Sequence, residues 1–186
     1  TVVPHAETPP AAYRTPDGAA FAEKPEHMTH LRGNILVPKT HPRIAFRGGI
    51  DTLEAELLLC AQAADGPLRQ TLCAMLDFVR SLIRADVLDE PVQTVRFLGL
   101  DDDGLREHSH HPEREEGQPH FLPAPDDPPI LLRLNRLRTA VRQTELLACH
   151  AFSRPDGTLA RPDLIKALNR LSSLCWILMI REKKKA

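Results

Sequence analysis

The sequence predicts an all-α fold, a five-helix bundle of four long helices and one short one. Three observations carry this. Apolar residues recur at helical spacing in four separate stretches. Aromatics are few, one Trp, one Tyr and six Phe in 186 residues, so the core has to be aliphatic, and Leu-rich helices build such cores. No stretch shows the sustained alternation of a long strand. A chain of this length makes one domain with an ample core.

Taken in order, residues 1–26 are rich in Pro and Ala and read as a flexible leader ahead of a bundle spanning 27–186. A small hairpin around Pro16-Asp17-Gly18 is the alternative. Residues 27–49 read as loop, because Gly, Pro and Asn interrupt them; basic residues recur there at Arg32, Lys39, Arg43 and Arg47. The first helix is expected over 50–64, with Leu53, Leu57 and Cys60 on one stripe. The second covers 68–88, with Leu68, Leu72, Met75, Val79 and Leu82 in register. Asp101 or Asp102 caps a short helix. Residues 107–129 break the pattern with four histidines and six prolines, and so long a structureless stretch in a compact domain is functional or mobile. A long helix runs from Pro129 to Phe152. The last starts at Pro162, with Asp163 suiting its dipole, and ends in Arg181-Glu182-Lys183-Lys184-Lys185, where cations suit a C-terminus.

Composition narrows function mainly by exclusion. A formal net charge of −1 gives no argument for nucleic acid or a membrane surface. No apolar run approaches the roughly 20 residues that cross a bilayer. The chain opens at Thr1 without methionine, basic n-region or apolar h-region, and we expect upstream sequence to be missing. Cys60, Cys73, Cys149 and Cys175 form no CxxC pair and sit in apolar helical patterns, which predicts buried thiols in a reducing cytoplasm.

The helix at 129–152 carries two stripes. Positions 134, 137, 141 and 148 are apolar; Asn135, Arg138, Arg142 and Glu145 lie directly beside them. One reading is a solvated bundle edge with an Arg142–Glu145 pair at i,i+3, worth a few tenths of a kcal/mol. The other is an anion site at a subunit boundary, where guanidinium forks take phosphate oxygens and Glu145 orients an arginine or accepts from a sugar or an Mg2+-bound water. On the last helix Asn169, Ser172 and Trp176 share a flank; Asn169 is either structural or a nucleotide hydrogen-bonder. The segment Thr29–Lys39 lacks both the GxxxxGK[ST] and GxGxxG patterns. The histidines offer one Glu107-x-x-His110 pair, whereas ferritin-like di-iron sites need two plus further carboxylates. They read as solvated or substrate-facing, with zinc as the alternative, and no metal ligand set is assigned.

Together, "VPKTHPRIAFRGGIDTLEAEL", "LRTAVRQTE" and "ALNRLSS" resemble the ATP:cob(I)alamin adenosyltransferases in order and spacing. "MTHLRGNILVPKTHPRI", "IRADVLDEPV", "LREHSHHP" and "RPDLIKALNRLSS" are similar to the ethanolamine-utilisation type in particular. The resemblance covers residues 27–181. It implies a five-helix bundle, usually a trimer although the ethanolamine type can differ and a dimer stays open, with ATP held at subunit interfaces. It implies transfer of the 5′-deoxyadenosyl group of ATP to cobalt, with release of triphosphate. Co(I) is the nucleophile, so the protein supplies geometry and electrostatics. ATP, Mg2+ and cobalamin are the implied small molecules. Ethanolamine ammonia-lyase and a reductase are the implied partners, and the cytoplasm, or a bacterial microcompartment within it, the implied location.

Residue by residue, the resemblance assigns Thr29, Arg32, Gly33 and Asn34 to an ATP-wrapping loop and Lys39 to the phosphates. Asp51 is implied to pair across the interface with Arg138, and a buried pair of that kind costs about 3–5 kcal/mol to break from one side. Arg142 is implied to bind phosphates, and Glu145 and Asn169 match residues of the nucleotide face. Phe121 resembles the phenylalanine beneath the corrin, which displaces the lower cobalt ligand and eases reduction of Co(II). Two positions depart from the family: Gln143 stands where an arginine is frequent, and "LPAPDD" replaces a Pro-Gly-Gly. The adjacent-cysteine metal motif of some ethanolamine-type members is also missing from this sequence. Those departures motivate a second reading, a non-catalytic bundle that binds corrinoid or ATP and delivers it to a partner. A helical bundle with no ligand is the third.

Overall fold

The computed structural model describes residues 11–186. Elements follow in the order β1 Tyr13–Arg14, β2 Ala20–Phe21, β3 Met28–Arg32, β4 Ile35–Pro38, α1 Pro42–Gln62, α2 Gly66–Leu88, α3 Asp102–His110, α4 Pro112–Glu115, α5 Pro129–Phe152 and α6 Pro162–Lys185. The four long helices expected from periodicity form, and α5 has the expected ends. Two corrections apply to the all-α five-helix expectation. There are six helices among the described residues, because Pro112 starts the single turn α4. There is also a four-stranded sheet of order β2-β1-β4-β3.

The sheet is made of short strands, which is why no long alternation marks it. β3 and β4 pair antiparallel, Thr29 with Val37 and His30 with Leu36, with an irregularity before Arg32. β1 and β2 make the hairpin reading of residues 13–21, and β1 joins β4 in parallel through Arg14 and Ile35. Residues 1–10 of the expected leader lie outside the described residues.

α1 begins at Pro42, ahead of the expected residue 50. His41 is its N-cap, accepting from the Arg43 N–H at 3.1 Å. Gly48 and Gly49 look like breakers in sequence, and Gly49 permits close packing. A Cβ at Gly49 would meet Leu147 Cδ1 at 2.8 Å, and the Thr144 hydroxyl donates to the Gly49 carbonyl at 3.1 Å. α1 therefore lies tightly along α5.

α5 packs between α1 and α6, α2 packs on α1 and also touches α6, and α3 packs on α6. The predicted stripes form the core: Leu53, Leu57, Leu72, Met75, Val79, Leu134, Leu137, Val141, Leu168 and Cys175 are fully enclosed. Each such leucine contributes about 1.5–3 kcal/mol by leaving water. Cys60 and Cys175 are buried thiols as expected, and burial pushes Cys60 up to about 11. Cys73 is exposed on α2 and Cys149 only partly buried, which corrects the expectation of four buried thiols. No helix among the described residues is long and apolar enough to cross a membrane.

Two polar anchors fix the parts that are not bundle. Asp86, with a fully buried side chain, accepts from Arg43 Nη2 at 2.6 Å and Arg47 Nε at 2.7 Å. Arg47 also donates to the Leu31 carbonyl at 2.8 Å, tying the β3–β4 hairpin to the ends of α1 and α2. At the opposite corner, residues 116–128 are pinned to the last turns of α6. Arg181 donates to Glu116 at 2.9 and 3.0 Å, and Lys183 pairs with the buried Asp127. The terminal cations thus do more than satisfy a dipole.

Candidate active site

A cleft of about 460 Å³ opens between α3, α5, α6 and the 116–128 segment. Helical spacing builds it: Arg138 and Arg142 stand one turn apart on α5, facing Asn169, Ser172, Ser173 and Trp176 on α6. Ser109 and His110 of α3 close one side, and His120, Phe121 and Leu122 close another.

The cleft has an apolar aromatic end and a cationic end. Phe121 stacks on Trp176 with centroids 5.0 Å apart and planes 23° apart. His120 stacks on the same indole at 5.7 Å and 13°. Lys183 Nζ lies 5.6 Å from the Phe121 centroid. Arg138 places its guanidinium 5.4 Å from the Trp176 centroid, and its Nε is buried with no hydrogen-bond partner. Burial, and then the neighbouring Arg142 charge, lower the Arg138 pKa from its ordinary value. Two guanidiniums side by side without a carboxylate are a waiting anion site.

Asn169 Nδ2 donates to Glu145 Oε1 at 3.1 Å, so Glu145 turns towards α6. The alternative Arg142–Glu145 pair does not form, and Arg142 is exposed at the cleft. Phe121, Arg138, Arg142 and Asn169 are therefore brought together, with Glu145 behind Asn169. Sequence reasoning missed Ser109, Ser173 and Leu122. Ser173 was within reach, since it stands at i+4 from Asn169; Ser109 enters only through its hydrogen bond to the Ser173 hydroxyl at 3.0 Å.

The other expected residues lie elsewhere. Thr29 is in β3, Arg32-Gly33-Asn34 form the hairpin turn with Gly33 at φ +54°, and Lys39 follows β4; none lines the cleft. Asp51 is exposed on α1 and does not pair with Arg138 within the chain. Gln143 lines a different groove, of about 500 Å³ between α1 and α5, so an arginine there would not face the cleft. A tighter cavity of about 170 Å³ under residues 92–97 contains none of the expected residues, and its Lys166 and Asp102 already pair at 2.8 Å.

The histidines disperse. His108 contacts Glu116 at 2.8 Å, Glu107 pairs with Arg114, and His110 and His120 face the cleft. Among the described residues no group of three or more His, Cys, Asp or Glu is placed to hold a metal ion. Mg2+ fits here as a partner of a bound polyphosphate, with Glu145 the one carboxylate at hand.

The sequence profile of the cobalamin adenosyltransferase family matches residues 20–182. The chain belongs to that family. Among curated proteins, it is 35% identical over 158 residues to the corrinoid adenosyltransferase EutT of Salmonella typhimurium, covering 85% of this chain and 59% of that one. It is 36% identical over 160 residues to the EutT of Escherichia coli K12, covering 86% and 60%. The chain thus spans about 60% of the length of the curated relatives it matches. A solved structure shares the fold: a phenylalanine-to-alanine variant of a PduO-type ATP:corrinoid adenosyltransferase from Lactobacillus reuteri, complexed with cobalamin and ATP. The TM-score is 0.64 at 16% identity, over 86% of this chain and 91% of that chain. A phenylalanine-to-histidine variant of the same type, also complexed with cobalamin and ATP, matches with a TM-score of 0.65.

Proposed function

We propose that this cobalamin adenosyltransferase transfers the 5′-deoxyadenosyl group of ATP to cob(I)alamin, giving adenosylcobalamin and triphosphate, and serves an ethanolamine ammonia-lyase. The observation that carries the reading is the cleft itself: an aromatic end suited to a flat macrocycle meets paired arginines suited to phosphate. Cobalamin and ATP in the fold relatives, and the name EutT of the sequence relatives, support it.

In this reading cobalt attacks C5′, the C5′–O bond breaks, and triphosphate leaves with the electron pair. The protein holds the triphosphate in line and neutralises the charge that grows on it. Arg142 is assigned to that task, with Asn169 and Glu145 on the nucleotide and Phe121 against the corrin. Mg2+ arrives on the ATP and supplies further charge neutralisation.

The site of one chain is half a site. Thr29, Arg32, Gly33, Asn34 and Lys39 stand apart from the cleft, and Arg138 has an unsatisfied Nε while Asp51 is exposed on α1. A second copy supplying its hairpin, and its Asp51 to Arg138, reconciles both facts. ATP then lies at the subunit interface of a homo-oligomer, a trimer by family habit with a dimer as the alternative. A reductase is the remaining partner, and the cytoplasm or a bacterial microcompartment the proposed location.

The test is to mix the protein with Mg-ATP and chemically reduced cobalamin and follow the Co(I) spectrum. Conversion to adenosylcobalamin is expected. Binding of both ligands without product would replace this reading with the carrier.

A further inference from the structure

The tryptophan of the cleft has no role in the reading above. Trp176 is the only tryptophan of the chain, and three side chains use its ring: Phe121, His120 and Arg138. Its own position is firm, because Cys175 and Ile177 on either side of it in α6 are buried. Its clients are less firm. Phe121 sits in a segment with neither helix nor strand, and the ring contacts that orient it are Trp176 and the Lys183 cation. Arg138 has no hydrogen bond at Nε, so the indole face is its recorded attraction there.

The geometry points to Trp176 as a positioning residue that sets Phe121 for the corrin and Arg138 for the neighbouring subunit on one indole, so that interface closure and shaping of the corrin site are coupled. This rests on the adenosyltransferase reading for the identity of the two ligands, but not for the contacts themselves. Its chemical consequence is selective. Cob(I)alamin carries no lower ligand to displace, so it has little need of a well-placed Phe121. Cob(II)alamin must first lose its lower ligand, and then takes one electron from a reductant to become Co(I). A loosened Phe121 therefore handicaps the Co(II) route more than the Co(I) route.

The experiment compares wild type, Trp176→Leu and Trp176→Phe in two assays with Mg-ATP. One starts from prereduced cob(I)alamin. The other starts from cob(II)alamin with a reductant too weak to reduce it free in solution. Because the ATP site also needs Arg138 in place, Trp176→Leu is expected to slow both assays, and the second about tenfold more than the first, the scale of losing the ring stack on Phe121. Trp176→Phe, which keeps a stacking face, is expected to recover most of the loss. Equal losses in both assays, tracking a lowered melting temperature, would mean a merely structural tryptophan and overturn the proposal.

A second arm needs no turnover. With one tryptophan, the emission of the ligand-free protein reports this site alone. Phe121→Ala and Arg138→Ala are each expected to shift it. Unchanged emission in both folded variants also overturns the proposal. An inactive wild type whose emission responds to both variants would remove the adenosyltransferase reading, and with it the coupling, and leave only the shared contacts standing.

Discussion

The cleft and the β3–β4 hairpin carry the two halves of the expected site, and they are built in opposite ways. In the cleft, functional side chains hold one another: Phe121 and Arg138 share an indole, and Asn169 is bonded to Glu145. In the hairpin the backbone is held and the candidate side chains at its tip are exposed. Arg47 grips the carbonyls of His30 and Leu31, while Arg32, Gly33, Asn34 and Lys39 point to solvent. On the proposed reading, one region is preorganised within the chain, and the other is an anchored display that ATP or another copy completes. Preorganisation lowers the entropy lost on binding, so the two halves should respond differently to mutation.

The largest effect is expected at the base of the hairpin. Asp86→Ala leaves the Arg43 and Arg47 guanidiniums without their shared buried carboxylate. Removing one side of such a pair costs about 3–5 kcal/mol, read as a lower denaturant midpoint. A loss under about 1 kcal/mol would mean that the hairpin is held by its strands alone. Next is Arg142→Ala, at an exposed position of the cleft. It is expected to lower kcat about 10²–10³-fold in the Co(I) assay, with melting temperature nearly unchanged.

The interface comes third. Asp51→Arg and Arg138→Asp are each expected to weaken assembly, and the double reversal to restore it, with a coupling of about 2 kcal/mol by sedimentation across a dilution series. Two single reversals whose effects simply add would separate Asp51 from Arg138 and leave the hairpin half without this link.

Acid should loosen the cleft before neutral or basic conditions do. Burial alone would raise the Glu116 pKa, but hydrogen bonds from Arg181 and then His108 outweigh it and hold the carboxyl below the ordinary range. A carboxyl with a depressed folded pKa stabilises fully above its unfolded value, about 4.3, and loses that contribution as pH falls through the folded one. Asp127 follows the same sign, lowered by its hydrogen bond from Lys183. The hydrogen-exchange protection factor of residues 116–128, with the intrinsic pH dependence of exchange divided out, is therefore expected to hold down to about pH 5 and to fall below about pH 4. Glu116→Gln should flatten that acid limb.

What was legible in the sequence divides along the same line. The cleft side of the bundle was readable because periodicity alone places residues on helix faces: Arg138, Arg142, Asn169 and Trp176 follow from a 3.6-residue repeat once α5 and α6 are found. The hairpin was not. Met28–Pro38 has strands of five and four residues joined by a Gly33 turn, too short for alternation to show. The first turns of α1 were lost because Gly48 and Gly49 look like breakers, and only the approach of Leu147 and Thr144 explains Gly49. Nor could spacing show that Arg43 and Arg47, read as two more basic residues of a loop, are spent on Asp86, which is 39 or more positions away.

The smallest effect on stability is expected at the tip of the display. Arg32 has one ionic neighbour, Asp89 at 3.9 Å, with both side chains more than 60% exposed. Solvent screening leaves such a pair worth about 0.5 kcal/mol or less, so Arg32→Ala should barely move the melting temperature. If the hairpin closes on ATP supplied to a neighbouring cleft, the same change should raise KM for ATP about threefold to tenfold, the scale of one charge-assisted contact, with kcat nearly constant. Arg142→Ala, by contrast, should act mainly on kcat. An Arg32→Ala protein that loses kcat instead would place the hairpin among the groups that act in the transition state, and the contrast between a preorganised half and a displayed half would fail at its clearest point.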